Sequence, residues 1–232
     1  MHIEVGVVSG AKMIFSYGTA IAACAYLGKE MLSEAKQNGS LSLLIKSIMA
    51  SVGVLMFFEV FPHHPVGVSE VHIILGSTLF LLFGLAPAAI GLLVGLLLQG
   101  LWFAPFDLPN YSVNITTLLV PLFVMAAASK KIIPSNTAYK DIHYSQALKL
   151  SFMYQGGIIA WVAFWAIYGQ GFTATNLAAV GSFSAAYLTV VLLEPLIDLA
   201  VLAGAKALHN LKSSNLVTPR LYHEAQHFFI SH

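Results

Sequence analysis

The first three residues, Met1-His2-Ile3, bring together three nitrogens that can hold one metal ion: an α-amine, the amide nitrogen of residue 2 and that residue's imidazole Nδ1. Binding all three closes two small, unstrained chelate rings. The amide proton is surrendered only to a metal that strongly prefers planar nitrogen ligands, Ni(II) or Cu(II) above all. The amine, whose ordinary pKa is about 7.7–8.0, must also lose its proton to the metal. Such a set fills three of four equatorial positions, and a fourth nitrogen must come from elsewhere. Nine histidines are many for so apolar a chain, and His63, His64 and His72 are the candidates for that position. The segment Glu4-Val5-Gly6-Val7-Val8-Ser9-Gly10 is apolar and glycine-bearing, unlike a solvated tail, and can tuck into a bundle.

Other polar residues support weaker chemistry. Glu194 and Asp198 stand four apart in the last apolar run, either as a proton relay or as acids near the inner end that lysines neutralise and a partner covers. The simpler reading is the second. His223 and His227 share one face of the tail, with His232 beyond. Their spacing is one residue too long for His-Glu-x-x-His, so a zinc protease is not supported. The chain has no Gly-x-x-x-x-Gly-Lys-Ser/Thr loop, so ATP hydrolysis belongs to another polypeptide. Cys24 is alone, which excludes an intramolecular disulfide.

The elements that must position these residues are membrane helices. Hydrophobic residues make up 58% of the 232 and charged ones 9%, and the mean hydropathy is +0.80. These values exclude a disordered chain, a basic nucleic-acid binder and an ordinary soluble enzyme. Apolar runs predict spans at 12–28, 41–61, 114–128, 149–168 and 177–205. The long run from Glu70 to Phe103 breaks at Gly84-Leu85-Ala86-Pro87, which predicts a hairpin of 71–84 and 86–103. The first piece is short enough to be re-entrant. Seven spans with the N-terminus outside place Lys29, Lys36, Lys46, Lys130, Lys131, Lys140, Lys149, Lys206, Lys212 and Arg220 on inner loops and edges. Lys12 is the exception among eleven basic residues, and the pattern obeys the positive-inside rule. A cleavable signal peptide is disfavoured, because Glu4 cancels Lys12 and the orientation would be wrong for the Lys29/Lys36 loop. The expected organisation is a metal-binding segment at 1–10, a seven-helix domain at 11–205 and a cytoplasmic tail at 206–232. Gly91-x-x-x-Gly95, the small residues Ser16, Ala20 and Cys24, and the Trp161/Trp165 pair are expected to be packing features.

Four separated blocks then fall into a familiar order. Met1-His2-Ile3-x-x-Gly6, the stretch Pro65-Val66-Gly67-Val68-Ser69-Glu70-Val71-His72-Ile73-Ile74-Leu75-Gly76, the hairpin Leu82 to Pro87 and the segment Leu96 to Phe103 with Asn114 resemble the CbiM/NikM family. These are membrane substrate-binding subunits of cobalt and nickel energy-coupling-factor transporters. The resemblance implies a planar site built from the Met1 amine, the His2 amide and imidazole, and the His72 imidazole. It leaves Glu4, Ser69, Glu70 and Asn114 as surrounding residues. His63 and His64 are either a loading site or part of a wet loop. Two departures stand out: Val5 holds the place of an acidic residue before the first glycine, and Ala104-Pro105-Phe106-Asp107-Leu108-Pro109-Asn110 replaces a glycine-rich turn.

The function so implied is capture of Ni(II) or Co(II), as transported substrate, at a bacterial or archaeal cytoplasmic membrane. A transmembrane scaffold subunit, two ATPase subunits and a small accessory membrane subunit are the implied partners, along with lipid. No nucleic acid or organic cofactor is expected. The alternatives are a non-transporting membrane assembly protein, or the same capture fold holding an organic micronutrient.

Overall fold

The computed structural model describes residues 2–134 and 136–211, whose apolar runs form seven helices. In chain order these are α1 (Met13–Asn38), α2 (Ser40–Val60), α3 (Gly76–Phe83), α4 (Leu85–Trp102), α5 (Tyr111–Ile132), α6 (Tyr144–Gln170) and α7 (Ala174–Leu211). Five of them, α2 and α4 to α7, are long and apolar enough to cross a membrane. The chain is a multi-pass membrane protein. The helix breaks follow local chemistry. Gly84, at φ 90°, turns the chain between α3 and α4, and its N–H donates to the Phe80 carbonyl. Pro87 then lies in the first turn of α4, where its missing N–H has no intrahelical partner to forgo. At the start of α6, the His143 amide donates to Gln146 Oε1 in a capping box.

The expected helix at 71–84 is only partly helical. Residues His64–Val66 (β1) and Ser69–Val71 (β2) pair as an antiparallel hairpin, with Pro65 opposite Glu70. Residues 72–75 belong to neither strand nor helix, and α3 begins at Gly76. Eight residues of helix rise about 12 Å, well short of a hydrocarbon core of about 30 Å. The β-branched residues Val66, Val68 and Val71 favour strands. Gly67, at φ 65°, makes the turn, and a Cβ there would overlap the Ala179 backbone, so the hairpin lies hard against α7.

Helix packing uses the small residues as expected. Gly91 and Gly95 on α4 admit Ala50 and Val54 of α2, and a side chain at either glycine would collide with them. Trp161 and Trp165 are packing residues whose indole N–H groups both reach Thr116 Oγ1, at 3.3 and 3.2 Å. On the outside, Leu41, Leu44, Ile48, Val52 and Met56 of α2 are exposed, as a lipid-facing surface requires.

Glu194 and Asp198 require a correction, because both are buried and neither is neutralised by a lysine among the described residues. They brace the entry to α3 instead. Glu194 accepts the Ile74 N–H and a hydrogen from Gln155 Nε2, while Tyr187 donates to Gln155 Oε1 at 2.6 Å. Asp198 accepts from Ser77 Oγ at 2.6 Å and from Thr78 Oγ1. Anionic groups near a helix N-terminus complement its dipole. Between these anchors Leu75 takes a left-handed conformation, φ 55°, which is costly for a non-glycine residue and persists only when its surroundings dictate it. The His223/His227/His232 tail lies outside the described residues.

Candidate metal centre

The chain's first residues fold back into the bundle as a third extended segment. Ile3 bridges antiparallel to Ser69, the Glu4 N–H donates to the Val68 carbonyl at 3.1 Å, and the Glu70 N–H donates to the His2 carbonyl at 2.9 Å. Ser69 Oγ donates to the same carbonyl at 2.9 Å. From the other side, the Ile3 N–H donates to Asn114 Oδ1 at 2.8 Å. Asn110 Nδ2 donates to the carbonyls of Ile3 and Glu4 at 3.0 and 3.1 Å. Ile3, Val7 and Val8 are buried in the main apolar core. Behind them, Gly169 on α6 leaves room for the Val7 carbonyl, which a Cβ would strike. Every backbone polar group so paired lowers the cost of burying an extended segment.

This docking sets His2 at 3% exposure beside His72 at 1%. The ring centroids are 5.7 Å apart, with Phe58 packed against both. With metal–nitrogen bonds of about 2.0–2.1 Å, two imidazoles bound side by side in one plane have centroids about 4.5 Å apart, so the two rings are neighbours that must close by about 1 Å to share an ion in that way. His2 Nε2 lies 2.6 Å from Gln99 Oε1, which accepts its proton and leaves the lone pair on Nδ1. Glu70 Oε2 is 3.7 Å from His72 Nδ1, and the His72 ring presents its other nitrogen elsewhere. At that distance the carboxylate acts on the ring through charge and not through a hydrogen bond. Burial, and the neighbouring carboxylates of Glu70 and Asp107, push the Glu4 carboxyl above its ordinary value, with His2 pulling the other way.

Of the expected residues, His2, Ser69, Glu70, His72 and Asn114 converge, and Glu4 borders the group. Met1 lies outside the described residues. His63 and His64 are both exposed, with His64 at the edge of an apolar cavity of about 340 Å³ between the hairpin and α7. Among the described residues, no three His, Cys, Asp or Glu side chains surround a single point. Sequence reasoning assigned no role to Gln99, Asp107 or Asn110, all of them buried at the site. The available signal was a lone glutamine in the run Leu96-Leu97-Leu98-Gln99 and two polar residues in an otherwise apolar turn.

The family described as "Cobalt uptake substrate-specific transmembrane region" (CbiM) matches residues 2–210. A solved structure titled as the crystal structure of a transition metal transporter shares the fold, with a TM-score of 0.67 at 16% identity, covering 96% of this chain and 98% of that one. No curated protein matches.

Proposed function

This chain belongs to the CbiM family, and on that premise we propose that it is the substrate-capture subunit of an energy-coupling-factor importer for Ni(II) or Co(II). One observation carries the reading: residues 2–4 are pinned as an extended segment that buries the His2 ring against His72. The ligands are the Met1 amine, the His2 amide nitrogen and Nδ1, and the His72 imidazole. Gln99 orients the first ring, and the Glu70 carboxylate stands 3.7 Å from the second. Ser69, Asn110 and Asn114 hold the backbone that carries the chelate. The cargo enters from outside, where the positive-inside pattern places the N-terminus. A scaffold subunit and two ATPase subunits drive its release inward, since this chain has no phosphate-binding loop of its own.

The test is calorimetry of Ni(II) and Co(II) binding to purified full-length protein. His2→Ala and His72→Ala should each abolish high-affinity binding, and an added N-terminal peptide should do the same by displacing the amine. Affinity unchanged in all three variants removes the site and returns the chain to a non-transporting role. Metal must displace protons from the amine and the amide, so affinity falls as pH drops from 8 to 6, by about tenfold per unit for each proton displaced.

A further inference from the structure

We propose that the cavity at the C-terminal end of α7 binds the phosphate of an anionic phospholipid headgroup. The cavity has a volume of about 220 Å³ and is walled by Lys140, Asp141, Lys206 and His209. One water takes about 30 Å³, so the space admits a phosphate group with waters around it. Lys206 is half-buried and held in place. Its Nζ donates to the Lys140 carbonyl at 2.7 Å and stands over the Tyr144 ring, 5.4 Å from the centroid. That contact ties the turn Tyr139–Asp141 to α7 and brings a second lysine to the same cavity. Two ammonium groups walled into one space repel each other, and an anion between them turns repulsion into attraction. Asp141 does not serve as that anion. It reaches Lys140 alone, at 3.4 Å, with 58% of its side chain in solvent, where an ion pair is worth little. Among the described residues, no carboxylate comes within ion-pair reach of Lys206.

The surroundings indicate the source of the phosphate. Leu188, Leu192 and Leu196 form an exposed apolar stripe on α7. Lys206 stands five helical turns beyond Leu188, on the same face, and about 15 Å beyond Leu196. That rise is the depth of one leaflet, half of a hydrocarbon core of about 30 Å. Tyr144 is exposed beside the cavity, an amphipathic ring of the kind that sits at headgroup level. A lipid whose chains lie along the leucines brings its phosphate to the lysines.

Full-length protein in detergent is titrated with phosphatidylglycerol and, separately, with phosphatidylcholine, and native mass spectrometry reads the dissociation constant of the first lipid bound. Wild type should hold phosphatidylglycerol the more tightly. Lys140→Gln, which leaves the backbone carbonyl that anchors Lys206, should weaken it about fivefold, the worth of one basic residue at an anionic lipid. Lys140→Gln with Lys206→Gln should abolish the difference between the two lipids, and Lys206→Arg should keep it. Equal affinity of wild type for both lipids overturns the inference. So does an equal loss on removing the same charge from α1, at the exposed pair Lys29→Gln and Lys36→Gln, because general charge then explains the preference. A loss in Lys206→Arg as large as in the double variant makes Lys206 a structural residue and overturns it too. Displacement of phosphatidylglycerol by inorganic phosphate at equal concentration assigns the cavity to free phosphate and overturns the lipid as occupant. Metal capture is not read in any arm, so neither result bears on the capture reading.

Discussion

Gln99 and Asn114 act on opposite sides of the same three residues, and their loss should separate ring orientation from backbone docking. Gln99→Leu removes the acceptor that holds the His2 Nε2 proton. The ring is then free to take the other tautomer, and metal affinity should fall by about 10–100-fold, as it does when an orienting partner of a ligand is lost. The fold should stay intact, because no backbone group depends on that side chain. Asn114→Leu instead strands the buried Ile3 N–H. An unsatisfied buried donor costs about 1–3 kcal/mol, so thermal unfolding followed by tryptophan fluorescence should shift downward along with the affinity. Both residues stand in apolar helices, where a polar side chain is a visible anomaly. Asn114 was legible through the family resemblance and Gln99 was not, because its partner is 97 residues away and only the folded chain brings them together.

Among the elements, the hairpin and α3 form one unit held from two directions. Gly67 lets β1 and β2 press on α7, and Glu194 of α7 fixes the backbone two residues beyond His72. Glu194→Ala leaves the Ile74 N–H and the Gln155 amide without their acceptor. It should destabilise the protein by about 1–3 kcal/mol and loosen the His72 segment, seen as faster hydrogen exchange at residues 72–76. Gly169→Ala is a cleaner probe of the N-terminal segment. Its methyl group meets the Val7 carbonyl rather than a flexible side chain, so the segment must move off α6. Metal binding should drop sharply while helical content by circular dichroism is unchanged. Glycine and proline punctuation made the α3–α4 break readable at Gly84 and Pro87. The run from Val71 to Gly84 did not reveal where strand gives way to helix, because its hydropathy is the same for both and the deciding contacts come from α7.

For the whole molecule, the composition was enough to predict a membrane bundle, and the placement of lysines gives an expected orientation with the C-terminus inside. A C-terminal epitope tag should be reachable by antibody only after the cells are permeabilised, which checks that orientation directly. Helix number followed from apolar run lengths, which the bilayer dictates, whereas helices such as α1, expected to stop at Gly28, run on to Asn38 through polar sequence that those lengths do not register. The arrangement of polar residues around His2 did not follow, because it depends on pairs such as Ile3 with Asn114 and Val7 with Gly169 that are far apart along the chain.

That separation has a consequence for timing. Residues 2–8 leave the ribosome before the surfaces that receive them, which belong to α4, α5 and α6, and Gly169 follows Val7 by 162 positions. At synthesis rates of about 5–20 residues per second, the opening segment waits on the order of ten seconds for its seat to exist. Docking of the leading end must therefore be among the last events of biogenesis, and a nascent chain arrested before α6 emerges should hold no cargo at all.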